Sequence, residues 1–129
     1  MNPTIAKFGW PHTLVCEFTN WLVLAAKSDA TAFGELPGEA HAELKQVTSA
    51  IEAALARAVG YARLNYLMLM MVDPQVHFHV IPRYEGTLEW NLREFVDVGW
   101  PRLPDLGHAV ALEGVELEAL TSWLKGFFD

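Results

Sequence analysis

A single cysteine, Cys16, in 129 residues rules out an internal disulfide and any zinc site built from cysteine pairs. No apolar run approaches the roughly 20 residues of a membrane span, and the opening residues lack the charged-then-apolar order of a secretory leader. The expectation is therefore a cytoplasmic chain with no membrane partner. Basic residues are scarce as well. Nine Lys and Arg against sixteen Asp and Glu leave a net charge of −7, whereas binding along a nucleic acid needs clustered cations. Nucleic acid is not an expected partner, and an anionic small molecule would have to be drawn in by local donors rather than by the field of the whole chain. Internal repeats and low-complexity tracts are absent too, which leaves one domain, residues 1–129.

What is present is apolar and periodic. The hydrophobic fraction of 52% describes a globular chain with a core of its own. Residues 1–13 read as an irregular lead-in with Pro3, Gly9 and Pro11, in which Phe8 and Trp10 either pin the segment to the fold or clamp a base. From Leu14 to Lys27 the chain is β-prone, and Thr19-Asn20 divides it into two short strands. Leu44, Val47, Ile51, Leu55 and Ala58 recur at spacings of three and four, which predicts a helix over 38–59. Pro37 suits its first turn, Glu39 and Glu43 complement its positive end, and Gly60 stops it. Its alanines, Ala50, Ala53, Ala54 and Ala56, permit close approach of a sheet or a second subunit.

A second apolar run, Tyr61 to Val72, reads as a strand whose Leu67, Met68, Leu69, Met70 and Met71 belong to the core rather than to a cofactor surface. The turn Asp73-Pro74 joins it to another strand over 75–83. After Arg83 the chain is rich in turns and aromatics, with a short helical turn expected over 92–96, and residues 106–112 carry no clear period. Val115 to Phe128 forms an amphipathic helix. The expected class is α+β: an antiparallel sheet with one long helix across a face and a C-terminal helix.

The 75–83 stretch, Gln75-Val76-His77-Phe78-His79-Val80-Ile81-Pro82-Arg83, carries the chemistry. Val76, Phe78 and Val80 alternate with Gln75, His77 and His79, so the first set faces a core and the second shares the other face. Same-face neighbours on a strand lie roughly 6.6 Å apart. Two imidazoles at that spacing can meet one phosphate or one metal ion. A metal needs at least a third protein ligand. His12, His41 and His108 are scattered, and only the fold could recruit Cys16 or Asp73. No metal and no cofactor are expected.

These residues resemble the signature of the histidine triad (HIT) superfamily, in which His alternates with apolar residues three times on one strand. The first position here reads Gln75, as in some bacterial HIT-like proteins, and the second and third are His77 and His79. The resemblance implies a nucleotide-binding α+β fold, usually a homodimer, whose middle histidine attacks phosphorus. It extends to Leu22–Lys27, a strand ending in a basic residue, and to Gly60-Tyr61 followed by an Asn on the next strand. It implies that Lys27 belongs to the substrate site and that Asn65 touches a ribose or phosphate. A strand-end Asn bonded to backbone is the competing reading of Asn65.

Two features depart from the pattern. Family members usually carry a longer hairpin before the Leu22 strand, so the sheet lacks part of a hairpin or a segment of the natural chain is missing. The small hydroxyl residue that often precedes the triad strand and helps the leaving group is absent, because Met71, Val72, Asp73 and Pro74 stand there.

Three readings of Gln75, His77 and His79 follow: nucleotidyl transfer through His77, a metal half-site, and nucleotide binding with little or no turnover. In the first, a neutral imidazole is a competent nucleophile. The anionic group is held by His79, the Gln75 amide and backbone N–H groups. Arg83 shares the histidine face by simple alternation, though it lies past Pro82. The substrate would be a nucleoside phosphate conjugate, such as a dinucleoside polyphosphate or a nucleoside phosphoramidate.

Overall fold

The expected long helix runs over Gly38–Val59 (α1) in the computed structural model, which describes residues 10–18, 21–107 and 112–128. Its stripe does what the spacing requires: Val47, Ile51 and Leu55 are buried against the sheet. Gly60 ends it in the left-handed conformation (φ 58°), its N–H reaching the Ala56 and Leu55 carbonyls at 3.1 and 3.3 Å. A side chain would resist that backbone.

The sheet has four strands: β1 (Thr13–Phe18), β2 (Trp21–Ala26), β3 (Arg63–Leu67) and β4 (His77–Arg83). Their order is β1-β2-β4-β3, every neighbouring pair antiparallel. β1 and β2 pair through Phe18 and Trp21, which makes the two short strands expected around Thr19-Asn20; those two residues lie outside the described part, as do Phe8, His108 and the Cys16 side chain. Leu22, Leu24, Val15 and Val80 turn one sheet face onto α1. Each such side chain contributes about 1.5–3 kcal/mol by leaving water. Trp10 packs against the same core, so of its two readings the structure displays the pinning one.

Three elements differ from the sequence expectation. The strand expected over Tyr61–Val72 stops at Leu67, and residues 68–76 form a loop, so Asp73-Pro74 does not make a tight turn between β3 and β4. Met70 takes a left-handed φ of 53°, which breaks the extended run. Met68 and Met70 pack on a small cluster with Val76 and Leu36, while Leu69, Met71 and Val72 are exposed. The apolar period thus continues past the strand because alternate side chains still find a core. The strand expected to start at Gln75 starts at His77.

The third difference is a hairpin where a helical turn was expected over 92–96. β5 (Thr87–Trp90) pairs with β6 (Arg93–Val96), and Phe95 enters the core. Asn91 and Leu92 form the tip with φ 52° and 63°, both left-handed, as a type I′ turn demands. Leucine is a poor occupant, and Leu92 is fully exposed, so nothing offsets its strain. Leu92→Gly is therefore expected to stabilise the protein by about 0.5–1 kcal/mol, the relief of strain exceeding the added chain entropy. A thermal melt raised by a few degrees would show it.

The C-terminal helix, expected over 115–128, is α2 (Gly114–Lys125) and seals the core with Leu120 and Leu124. After β6, Asp97 and the Arg102 carbonyl meet Arg83 on the sheet face opposite α1. Among the described residues no helix is long and apolar enough to cross a membrane.

Candidate functional site

Alternation along β4 sorts its side chains as the period dictates. Val80 is buried towards α1, whereas His77 and His79 are half-buried on the opposite face, paired across the ladder with Ala25 and Val23 of β2. Their ring centroids are 5.4 Å apart at 75°.

Each imidazole is held by a partner that fixes its tautomer. His77 Nδ1 lies 2.6 Å from the Gln75 carbonyl oxygen. A carbonyl only accepts, so Nδ1 must carry the proton, and Nε2 of the neutral ring keeps its lone pair. His79 Nδ1 accepts a hydrogen bond of 2.9 Å from Trp21 Nε1–H. Indole only donates, so in neutral His79 the proton sits on Nε2. The two rings thus carry opposite equipment: a nucleophilic lone pair on His77 and a donor on His79. Burial first, and then the neighbouring His77, holds His79 below the ordinary histidine value, which favours the neutral ring at pH 7.

Gln75 precedes the strand. Its side-chain Nε2 donates to the Ala26 carbonyl at 2.6 Å, tying the end of β2 to the entry of β4. Its backbone N–H donates to Asp73 Oδ1 at 2.9 Å, a turn that sets the carbonyl used by His77. Lys27, just past β2, donates from Nζ to the Trp10 carbonyl at 2.9 Å and so holds the lead-in.

Asn65 and Arg83 lie on the histidine face farther along the ladder: Asn65 pairs with Ile81, one same-face step beyond His79, and Arg83 with Arg63 at the far end. Arg83 is buried and fully engaged: Nε and Nη2 reach Asp97 at 2.7 and 3.1 Å, Nη1 reaches Asn65 Oδ1 at 2.7 Å, and Nη2 also reaches the Arg102 carbonyl at 2.6 Å. Asn65 is thus bonded to a side chain rather than to backbone. The structure brings together His77, His79 and the main chain of Gln75, puts Arg83 at the far end of the β3–β4 ladder, and engages the Lys27 ammonium with the Trp10 carbonyl and the Asn65 Oδ1 with Arg83. Among the described residues no three His, Cys, Asp or Glu side chains converge as a metal site would require.

Trp21 and Asp97 escape a reading of the sequence. Trp21 leaves a trace, because a buried indole N–H needs an acceptor, though nothing says which. Asp97 sits in a stretch with no period.

An antiparallel sheet backed by one long helix, with alternating histidines on its open face, is the histidine triad fold. Solved structures carry the same architecture. A histidine triad protein of Sinorhizobium meliloti matches with a TM-score of 0.73 at 24% identity, over 95% of this chain and 87% of that one. One of Bradyrhizobium japonicum matches at 0.71 and 25%, over 98% and 90%. A hypothetical histidine triad nucleotide-binding protein of Sulfolobus tokodaii matches at 0.70 and 16%, over 97% and 82%. No family model and no curated protein matches the chain.

Proposed function

We propose that the protein is a nucleotide-binding HIT-like hydrolase or nucleotidyltransferase in which His77 forms a covalent nucleotidyl intermediate. One observation carries this reading: the Gln75 carbonyl holds the proton of His77 on Nδ1 and leaves Nε2 bare. Nε2 attacks the α-phosphorus of a nucleoside phosphate conjugate, and the bond from phosphorus to the leaving group breaks with its electron pair. The charge that the ring then acquires is met by the Nδ1–H···O=C bond. His79 Nε2–H donates to a phosphoryl oxygen, as does any free N–H at the start of β4. Water then attacks phosphorus and gives up a proton to the solvent, the N–P bond breaks, the lone pair returns to Nε2, and nucleotide departs.

The leaving group has no hydroxyl beside it, since Met71, Val72, Asp73 and Pro74 occupy that segment. An amide at position 75 cannot supply a proton either. Groups that depart as stable anions, such as a polyphosphate, suit the site better than amines. The experiment is a screen of dinucleoside polyphosphates and nucleoside phosphoramidates, with acid-free quenching and mass analysis of the intact protein. A mass gain of one nucleotidyl group on His77, labile in acid, is expected. Binding without that adduct or any product would instead favour a nucleotide-binding protein with no useful turnover.

A homodimer is part of the same reading. Ala53 and Ala56 are exposed on α1, and β1 and β3 are edge strands of the sheet, surfaces that a second copy covers well. Light scattering at micromolar concentration should return twice the chain mass; a monomer would overturn the assignment.

A further inference from the structure

Three of the nine basic residues, Arg63, Arg83 and Arg102, line one cavity of about 490 Å³ at the end of the β3–β4 pair remote from the histidines. It lies within the size range of small-ligand sites, roughly 300–1,000 Å³. Its β3 and β4 lining spans the rungs from Asn65–Ile81 to Arg63–Arg83, two to four residues and roughly 7–13 Å beyond His79. Ile81, only 7% exposed, stands between His79 and Arg83. No Asp or Glu is among the described lining residues. In a chain of net charge −7 this is a local inversion of sign.

The three arginines are not equivalent. Arg83 is neutralised by Asp97 and serves as framework. Arg63 and Arg102 have no carboxylate partner among the described residues; Arg63 Nη1 reaches only the neighbouring Ala62 carbonyl, at 2.9 Å. Asn65 supplies a further donor. Its Oδ1 faces the Arg83 guanidinium, which can only donate, so its NH₂ points elsewhere and has no protein partner among the described residues. Trp100, with Pro101 and Pro104, gives the cavity a flat apolar wall.

This wall is held in place. Arg83 Nη2 binds the Arg102 carbonyl at 2.6 Å, and the Arg102 N–H binds the Gly99 carbonyl at 2.7 Å. A Cβ at Gly99 would overlap the Leu103 carbonyl oxygen. The loop carrying Trp100 and Arg102 is therefore fixed by a buried ion pair and a close backbone contact, unlike an ordinary surface turn. Two guanidiniums and an amide at one side of an indole suit a dianionic group attached to a flat ring.

We propose that this cavity is a second anion site, independent of the histidine pair, that takes a phosphate monoester carried on an aromatic ring or nucleobase. Arg63, Arg102 and the Asn65 amide hold the phosphate, and Trp100 lies against the ring. The proposal does not depend on turnover at His77.

The test uses the full chain and the indole N–H resonance of Trp100, assigned by its loss in Trp100→Phe. Phenyl phosphate, adenosine monophosphate and inorganic phosphate are titrated in turn. A saturable shift is expected with the first two, weakening as salt rises, and a weaker response to inorganic phosphate. Phenyl phosphate outbinding adenosine monophosphate would assign the site to aryl phosphates, and the reverse order to nucleotides. Arg63→Gln and Arg102→Gln, each on an exposed side chain, should weaken binding about tenfold or more apiece, with the melting temperature unchanged. His77→Ala should leave the Trp100 response intact. Undiminished binding in the two arginine variants, or loss of the response in His77→Ala, would overturn the proposal. Equal affinity for phenyl phosphate and inorganic phosphate would remove the ring contact from it.

Discussion

Replacing His77 with alanine is expected to lower kcat about a thousandfold or more while leaving nucleotide binding within a few-fold. Loss of a covalent nucleophile acts on that scale, equivalent to at least about 4 kcal/mol of barrier. Binding survives because His79 and the backbone donors of β4 remain. Trp21→Phe is the informative contrast. It keeps the ring, removes the N–H that fixes His79 Nδ1 as an acceptor, and lets the neutral imidazole populate both tautomers. Its expected loss is about tenfold in kcat, with ¹⁵N spectra of His79 showing a mixture in place of a single Nε2–H form. Full turnover in His77→Ala would end the covalent mechanism. An unchanged His79 tautomer in Trp21→Phe would free Trp21 from its positioning role.

Asp97→Ala should be the most destabilising single change at the site face. Arg83 and Asp97 have side chains only 5% and 7% exposed, and removing one partner leaves a buried charge uncompensated. Such losses run to about 3–5 kcal/mol, or about 10–20 °C in melting temperature for a chain of this length. The pair also imposes a pH dependence. Burial alone would raise the Asp97 carboxyl, but the hydrogen bond and charge of Arg83, with backbone N–H groups of Tyr84 and Gly99, outweigh it and hold the group below the usual range. A depressed folded value means that the folded state binds fewer protons. Its stabilisation is complete above the unfolded value of about 3.9 and is lost as pH falls through the folded one. Asp97→Asn should lack that component of acid unfolding in urea titrations. The same acid sensitivity in Asp97→Asn would assign it to other carboxylates.

The long helix and the histidine strand were legible because their side chains obey one period from end to end. Val47, Ile51 and Leu55 could lie nowhere but inward, and Val80 and Phe78 could not share a face with His79. Where period and backbone part company, the reading failed. Met68 and Met70 keep alternating after β3 has ended, since methionine finds a core from a loop as readily as from a strand. Leu92 occupies a left-handed hairpin position that its own chemistry disfavours, so the turn was invisible. Alternation puts Arg83 on the face it occupies, yet its partner lies fourteen residues on, at Asp97, in a stretch whose only signal is the density of Pro, Gly and Trp. The site's hydrogen-bonding order was equally hidden. No property of the letters Gln75 and His77 states that a main-chain carbonyl, rather than the amide side chain, meets the ring.

That main-chain contact ties the His77 tautomer to the junction between the 68–76 loop and the sheet. The carbonyl that orients His77 belongs to a residue outside the ladder, positioned by Asp73 at the end of a loop whose Leu69, Met71 and Val72 stand in water. Opening of such a loop costs far less than unfolding the sheet. Warming or mild denaturant is therefore expected to scramble the His77 proton, and with it the proposed chemistry, while α1 and the four strands are still intact.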